Sequence, residues 1–128
     1  MSKNETVEPS KFQPTYSGFL IDKLNKIELA WDQDMPEAAL RRALRLVNFL
    51  PKELKKKLKP KKEIIVKALN SAYRISGVDY YTTQQIRNRK ARTIASLYLE
   101  PFVDEMLDWL DERGYLEEKK RIVPEGHE

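Results

Sequence analysis

Residues 36–50 read PEAALRRALRLVNFL. Leu40, Ala43, Leu44, Val47 and Leu50 recur at steps of three and four, the period of a helix with one buried side. Arg41, Arg42, Arg45 and Asn48 fall on the other side. Pro36 suits a first helical turn, where its missing N–H would have no partner, and Asp34 before it marks a turn. Pro51 stops the segment, since a proline cannot supply the next ladder bond. The reading is an amphipathic helix that must bury its stripe against further helices.

The flanking sequence supplies them. On the N-terminal side, Leu20, Leu24, Ile27 and Trp31 form a narrow stripe over 16–32, which predicts a helix with Trp31 buried. On the C-terminal side, Leu54 and Leu58 mark a short helix over 52–58 that Pro60 closes. Over 61–76, Ile64, Ile65, Val66, Ala68, Leu69, Ala72, Tyr73 and Ile75 cover a wide arc and predict the most buried helix. Lys67, Asn70 and Arg74 are its polar strip, and Gly77 sits where a C-terminal cap would need positive φ. Residues 78–81 read as a short extended connector, with Thr82 or Thr83 as the next cap; Thr82 and Gln85 have capping-box spacing. A helix over 83–99 buries Ile86, Ala91, Ile94, Leu97 and Tyr98, and Pro101 kinks or restarts it. The last helix runs to Arg113 with Gly114 beyond it. It buries Phe102, Val103, Met106, Leu107, Trp109 and Leu110 and exposes Asp104, Glu105, Asp108, Asp111 and Glu112. Residues 115–123 read as a hairpin or an extended arm. The pattern predicts an all-α compact bundle of five or six helices, with or without a small terminal β-hairpin. One domain spans 16–123, between a disordered arm (1–15) and a loose tail (124–128).

Composition narrows the function. None of the 128 residues is cysteine, which excludes disulfides and thiolate metal sites. No apolar run approaches the ~18 residues of a membrane span, and the start lacks a signal peptide's apolar stretch, so a cytoplasmic protein without a membrane partner is expected. The only histidine, His127, sits in a polar tail, and the four glycines are isolated, so no phosphate loop or nucleophile–base pair is present. Asp104 and Asp108 share a helix face, but the whole face is acidic and reads as solvated. A non-enzymatic protein without metal or cofactor is expected.

The net charge of +4 is unevenly spread: 41–95 carries 16 basic and 3 acidic residues, whereas 96–128 carries 4 and 10. Such asymmetry points to a polyanion or an acidic protein surface. Arginines at i, i+3 or i, i+4 can follow a phosphate backbone. Arg41 and Arg45, Lys67 and Arg74, and Arg87, Arg89, Lys90 and Arg92 are the candidate binding residues. Phe49, Tyr73, Tyr80 and Tyr81 lie among these charges, as stacking aromatics do in single-strand binding. Tyr73 reads more simply as a core residue; Tyr80 and Tyr81 fit either role.

The stretch 63–123 resembles a winged helix-turn-helix domain. EIIVKALNSAYRI resembles that family's first helix, YYTTQQI its short strand and the capped start of the second helix, and FVDEMLDWLDERGYLEEKKRIV its third helix and the lead into the wing. The resemblance implies nucleic-acid binding. Because the third helix is acidic, the contact would pass to the 83–99 helix and to Lys119, Lys120 and Arg121. Sequence alone thus favours a nucleic-acid-binding protein (DNA or RNA), as a regulator, packaging protein or nucleoprotein subunit. The alternative is a protein-interaction module or self-assembling structural subunit: its basic middle would dock an acidic partner and its acidic helix a basic one, homo-oligomers included.

Overall fold

A computed structural model describes residues 13–74 and 79–116. Its elements are α1 (Gln13–Asp32), α2 (Pro36–Leu46), a 3₁₀ turn (Val47–Phe49), α3 (Lys52–Ala72) and α4 (Tyr80–Glu112). The chain is all-α, as expected, and no strand occurs among the described residues. α2 packs on both α1 and α4, and α3 packs along α4, so the long last helix is the spine of the bundle.

There are four α-helices among the described residues, not five or six. The helices expected over 52–58 and 61–76 are one, α3, running through Pro60; those over 83–99 and 101–113 are one, α4, running through Pro101. A proline removes one N–H and frees the carbonyl four residues earlier. Pro60, Pro101, Lys56 and Leu97 are all exposed, so water can satisfy both freed carbonyls. Meanwhile the apolar stripes on either side of each proline stay in phase.

That phase explains a second correction. Phe102, Met106 and Trp109 fix the buried side of α4, and counting back by whole turns selects Ala91, Ala95 and Leu99, all buried. Leu97 is 61% exposed and Tyr98 36%. On α1, Ala30 takes the buried position that the stripe assigned to Trp31; the indole is turned about 100° away and is 40% exposed. The segment 61–76 is not the most buried: Ile65, Leu69 and Ala72 are inside, but Ile64 is 48% exposed because α3 packs along one side only. The α2 stripe lies as read, with Leu40, Ala43, Val47 and Leu50 buried, and Leu46 joins it.

Two helix ends use the same cap. After α4, Gly114 adopts φ 80°, its N–H donates to the Asp111 carbonyl, and Tyr115 N–H donates to Leu110. After α1, Asp34 takes the left-handed position at φ 62°, with Asp34 N–H to Trp31 and Met35 N–H to Ala30. Both are Schellman arrangements, and aspartate is among the few residues that tolerate the left-handed state. α4 begins at Asp79, not at Thr82 or Thr83: the Asp79 carboxylate accepts from the Thr82 backbone N–H at 2.8 Å. Tyr80 and Tyr81, expected in an extended connector, are its first helical residues. Residues 1–12 of the expected arm, Gly77, the tail with His127, and most of the expected hairpin, including Lys119, Lys120 and Arg121, lie outside the described residues; residues 13–15, assigned to the arm, begin α1, and Tyr115 and Leu116 form a turn.

Candidate functional site

The two oppositely charged blocks of the sequence fold onto each other. α3 and α4 run antiparallel, so the lysine-rich first half of α3 meets the acidic second half of α4. Glu105 accepts from Lys61 and pairs with Lys57 at 3.8 Å, its side chain only 19% exposed. An open pocket of about 580 Å³ beside it is lined by both signs, Glu53, Lys56, Asp108 and Arg113 among them. The acidic outer face of α4 is therefore partly spent on the lysines of α3, and charge at this end nearly cancels.

The basic excess is at the other end. The last nine residues of α3 (64–72) with Arg74 just beyond them, the first four turns of α4 with its cap Asp79, and the outer side of α2 converge there. Arg41, Arg42, Arg45, Lys67, Arg74, Arg87, Arg89, Lys90 and Arg92 meet only Glu37 and Asp79 as acidic residues of these segments. The rest of the described chain holds 10 basic and 12 acidic side chains, so the positive charge of the fold is concentrated at this end.

At its centre is a cluster that ties three helices together. Glu37, in the first turn of α2, accepts from Arg41 Nε at 2.9 Å and from Arg87 Nη2 of α4 at 3.1 Å. Tyr73, at the end of α3, lies between the two guanidinium groups, with Arg87 4.1 Å and Arg41 5.6 Å from its ring centroid. Burial works to raise the Glu37 carboxyl, but its hydrogen bond from Arg41 and the charges of both arginines hold it below the usual carboxylate range. Burial, then the neighbouring Glu37 charge, pushes the Tyr73 phenol up. Tyr73 Oη and Arg87 Nε are buried without a well-formed hydrogen bond. The arrangement makes a rigid, positively charged junction.

The eight candidate residues fall into two groups. Arg41 and Arg87 are brought together by Glu37, and Arg92 donates to Asp34 at 2.6 Å on the α1–α2 turn. These three are engaged within the fold, Arg87 and Arg92 by partners far away in sequence. Arg45, Lys67, Arg74, Arg89 and Lys90 are exposed and make no ion pair among the described residues. Lys67 lies on the outer side of α3 and Arg74 just beyond its end, and Arg45 follows Arg41 by one turn. Sequence reading missed Glu37, although its i, i+4 spacing to Arg41 was a visible signal. It left Tyr80 and Tyr81 open; they are 79% and 70% exposed, the two most exposed large apolar side chains among those described.

No group of three acidic or histidine side chains able to hold a metal ion occurs among the described residues. Nor is any described helix long and apolar enough to cross a membrane. Comparison with known proteins finds no family model, no curated protein and no solved structure that matches this chain.

Proposed function

We propose that the protein binds nucleic acid at this basic end, stoichiometrically and without catalysis, and that it takes a single strand. The observation that carries the reading is the pair Tyr80–Tyr81, solvent-facing on the first turn of α4 and one to three turns from Arg87, Arg89 and Lys90. Exposed aromatics gain by stacking on unpaired bases, which single strands offer and duplexes hide. Arg45, Lys67, Arg74, Arg89 and Lys90 supply phosphate contacts because no carboxylate among the described residues already holds them. Arg41 and Arg87 stand behind as a fixed positive field.

The test is fluorescence anisotropy with labelled 20-mers, single- and double-stranded, DNA and RNA, between 50 and 300 mM salt. Five phosphate contacts to a single strand give a slope of log K against log salt of about −3.5. Arg89→Glu with Lys90→Glu should lose most of the binding while circular dichroism stays unchanged, and Asp104→Lys with Asp108→Lys should keep or strengthen it. Binding destroyed by the α4 acid reversals but not by Arg89→Glu with Lys90→Glu rejects this surface. Absence of salt-sensitive binding to every oligomer at micromolar protein transfers the basic end to an acidic protein partner or a second copy of the chain.

A further inference from the structure

A second feature is independent of the basic end. α1 and α4 both pack on α2 and face each other across a groove of about 640 Å³. Its walls are apolar, Leu24 and Trp31 from α1 against Leu99, Val103 and Leu107 from α4, and its rim carries Glu28, Glu100 and Asp104. Trp31 is the exposed tryptophan of the fold, at 40%. An open apolar groove with a single sign of charge on its rim calls for an occupant that is apolar and basic.

We infer that the occupant is the chain's own segment 117–123, EEKKRIV. Three observations agree. Leu116, the last described residue, already lines the groove, so the segment starts at its edge. The groove follows α4 from Leu107 to Ser96, 11 residues or about 16 Å of helix, and seven extended residues span about 23 Å. Lys119, Lys120 and Arg121 complement Glu28, Glu100 and Asp104, while Ile122 and Val123 suit the Trp31 and Leu99 end. Docking covers Trp31 and places three cations on a rim that otherwise holds unbalanced carboxylates.

Because the natural chain has no cysteine, a disulfide trap is clean. The full chain would carry Val123→Cys together with Ser96→Cys, an exposed position on the groove. The control pairs Val123→Cys with Lys56→Cys; Lys56 shares a pocket with Trp109, whose ring stacks on Tyr115, so it stands near the exit of the segment but outside the groove. Under mild oxidation the groove pair should close within one chain about tenfold faster than the control, through its higher effective concentration. Glu100→Lys with Asp104→Lys should cancel the advantage. Equal rates for the two pairs overturn the inference, and so does a disulfide-linked dimer, which would give the groove to a second copy. As a second measurement without cysteines, Ile122→Asp with Val123→Asp should shift tryptophan emission to the red by uncovering Trp31, Trp109 remaining buried. Unshifted emission also overturns it.

Discussion

Replacing Glu37 with Gln should make the protein less stable and a better binder at once. The carboxylate holds Arg41 at 2.9 Å and Arg87 at 3.1 Å, and the Glu37 and Arg87 side chains are 29% and 30% exposed. Fully exposed pairs contribute ~0–1 kcal/mol, and breaking a buried one costs ~3–5 kcal/mol. Partial exposure puts this cluster between them, at about 1–2 kcal/mol, or roughly 4–8 °C in the melting temperature of a chain this size. The sign of the pH dependence follows from the lowered carboxyl. Its stabilisation is present above the unfolded-state pKa and is lost as pH falls through the folded one, so the melting curves of wild type and Glu37→Gln should converge in acid. Binding moves the other way. Two guanidinium groups lose their internal counterion, and each additional phosphate contact at 0.1 M salt strengthens binding about five- to tenfold and steepens the salt slope. Calorimetry and anisotropy on the same sample read both effects. A variant that is equally stable, or that melts lower and binds no better, would refute the idea that Glu37 restrains the two arginines.

Four other outcomes are expected. Phe102→Ala, at a site 1% exposed, should cost about 3–5 kcal/mol in urea unfolding, whereas Trp31→Ala, at 40%, should cost less than half as much. Tyr80→Ala with Tyr81→Ala should leave the melting temperature unchanged but weaken binding by about 5- to 150-fold for each lost stack, read by anisotropy. The Tyr73 phenol is raised by burial and by Glu37, so folding favours its protonated form. Stability should therefore fall as pH rises past the ordinary value of 10.0, and Tyr73→Phe should flatten that fall in melts between pH 8 and 11. Pro60→Ala restores a ladder bond inside α3 and should raise stability by about 1–2 kcal/mol in the same urea assay, part of the helix gain being offset by a freer unfolded chain.

The fold was legible wherever a buried stripe was long and the competing signal weak. Leu40, Ala43, Val47 and Leu50, and Phe102, Met106, Trp109 and Leu110, were found from spacing alone, and Gly114 from its place after the last stripe. The prolines misled because their cost depends on whether the freed carbonyl meets water, which is decided by the third dimension. Trp31 misled because a neighbouring alanine could fill the buried position and leave the large ring at the edge of a groove. The basic residues of the site were all visible, but their division was not. Arg87 is 50 residues from Glu37 and Arg92 is 58 from Asp34, so nothing local marks them as held while Arg89 and Lys90 have no ion pair among the described residues. The cancellation of Lys57 and Lys61 by Glu105 was hidden for the same reason, with 44 residues between Lys61 and its partner.

The spine helix has one more consequence. α4 is 33 residues, about 50 Å, long, with Arg87, Arg89, Lys90 and Arg92 in its first half and Glu100, Asp104, Glu105, Asp108, Asp111 and Glu112 in its second. The peptide units of a helix align with their positive pole at the N-terminus, so backbone and side chains add in the same direction. The molecule is an electric dipole whose positive pole carries the exposed tyrosines. In the field of a polyanion it would experience a torque before making any contact, which would turn Tyr80 and Tyr81 toward the polyanion and the charge-balanced end away from it. On the proposed binding, fewer encounters would be lost to wrong orientation, and salt would slow association as well as weaken the final complex.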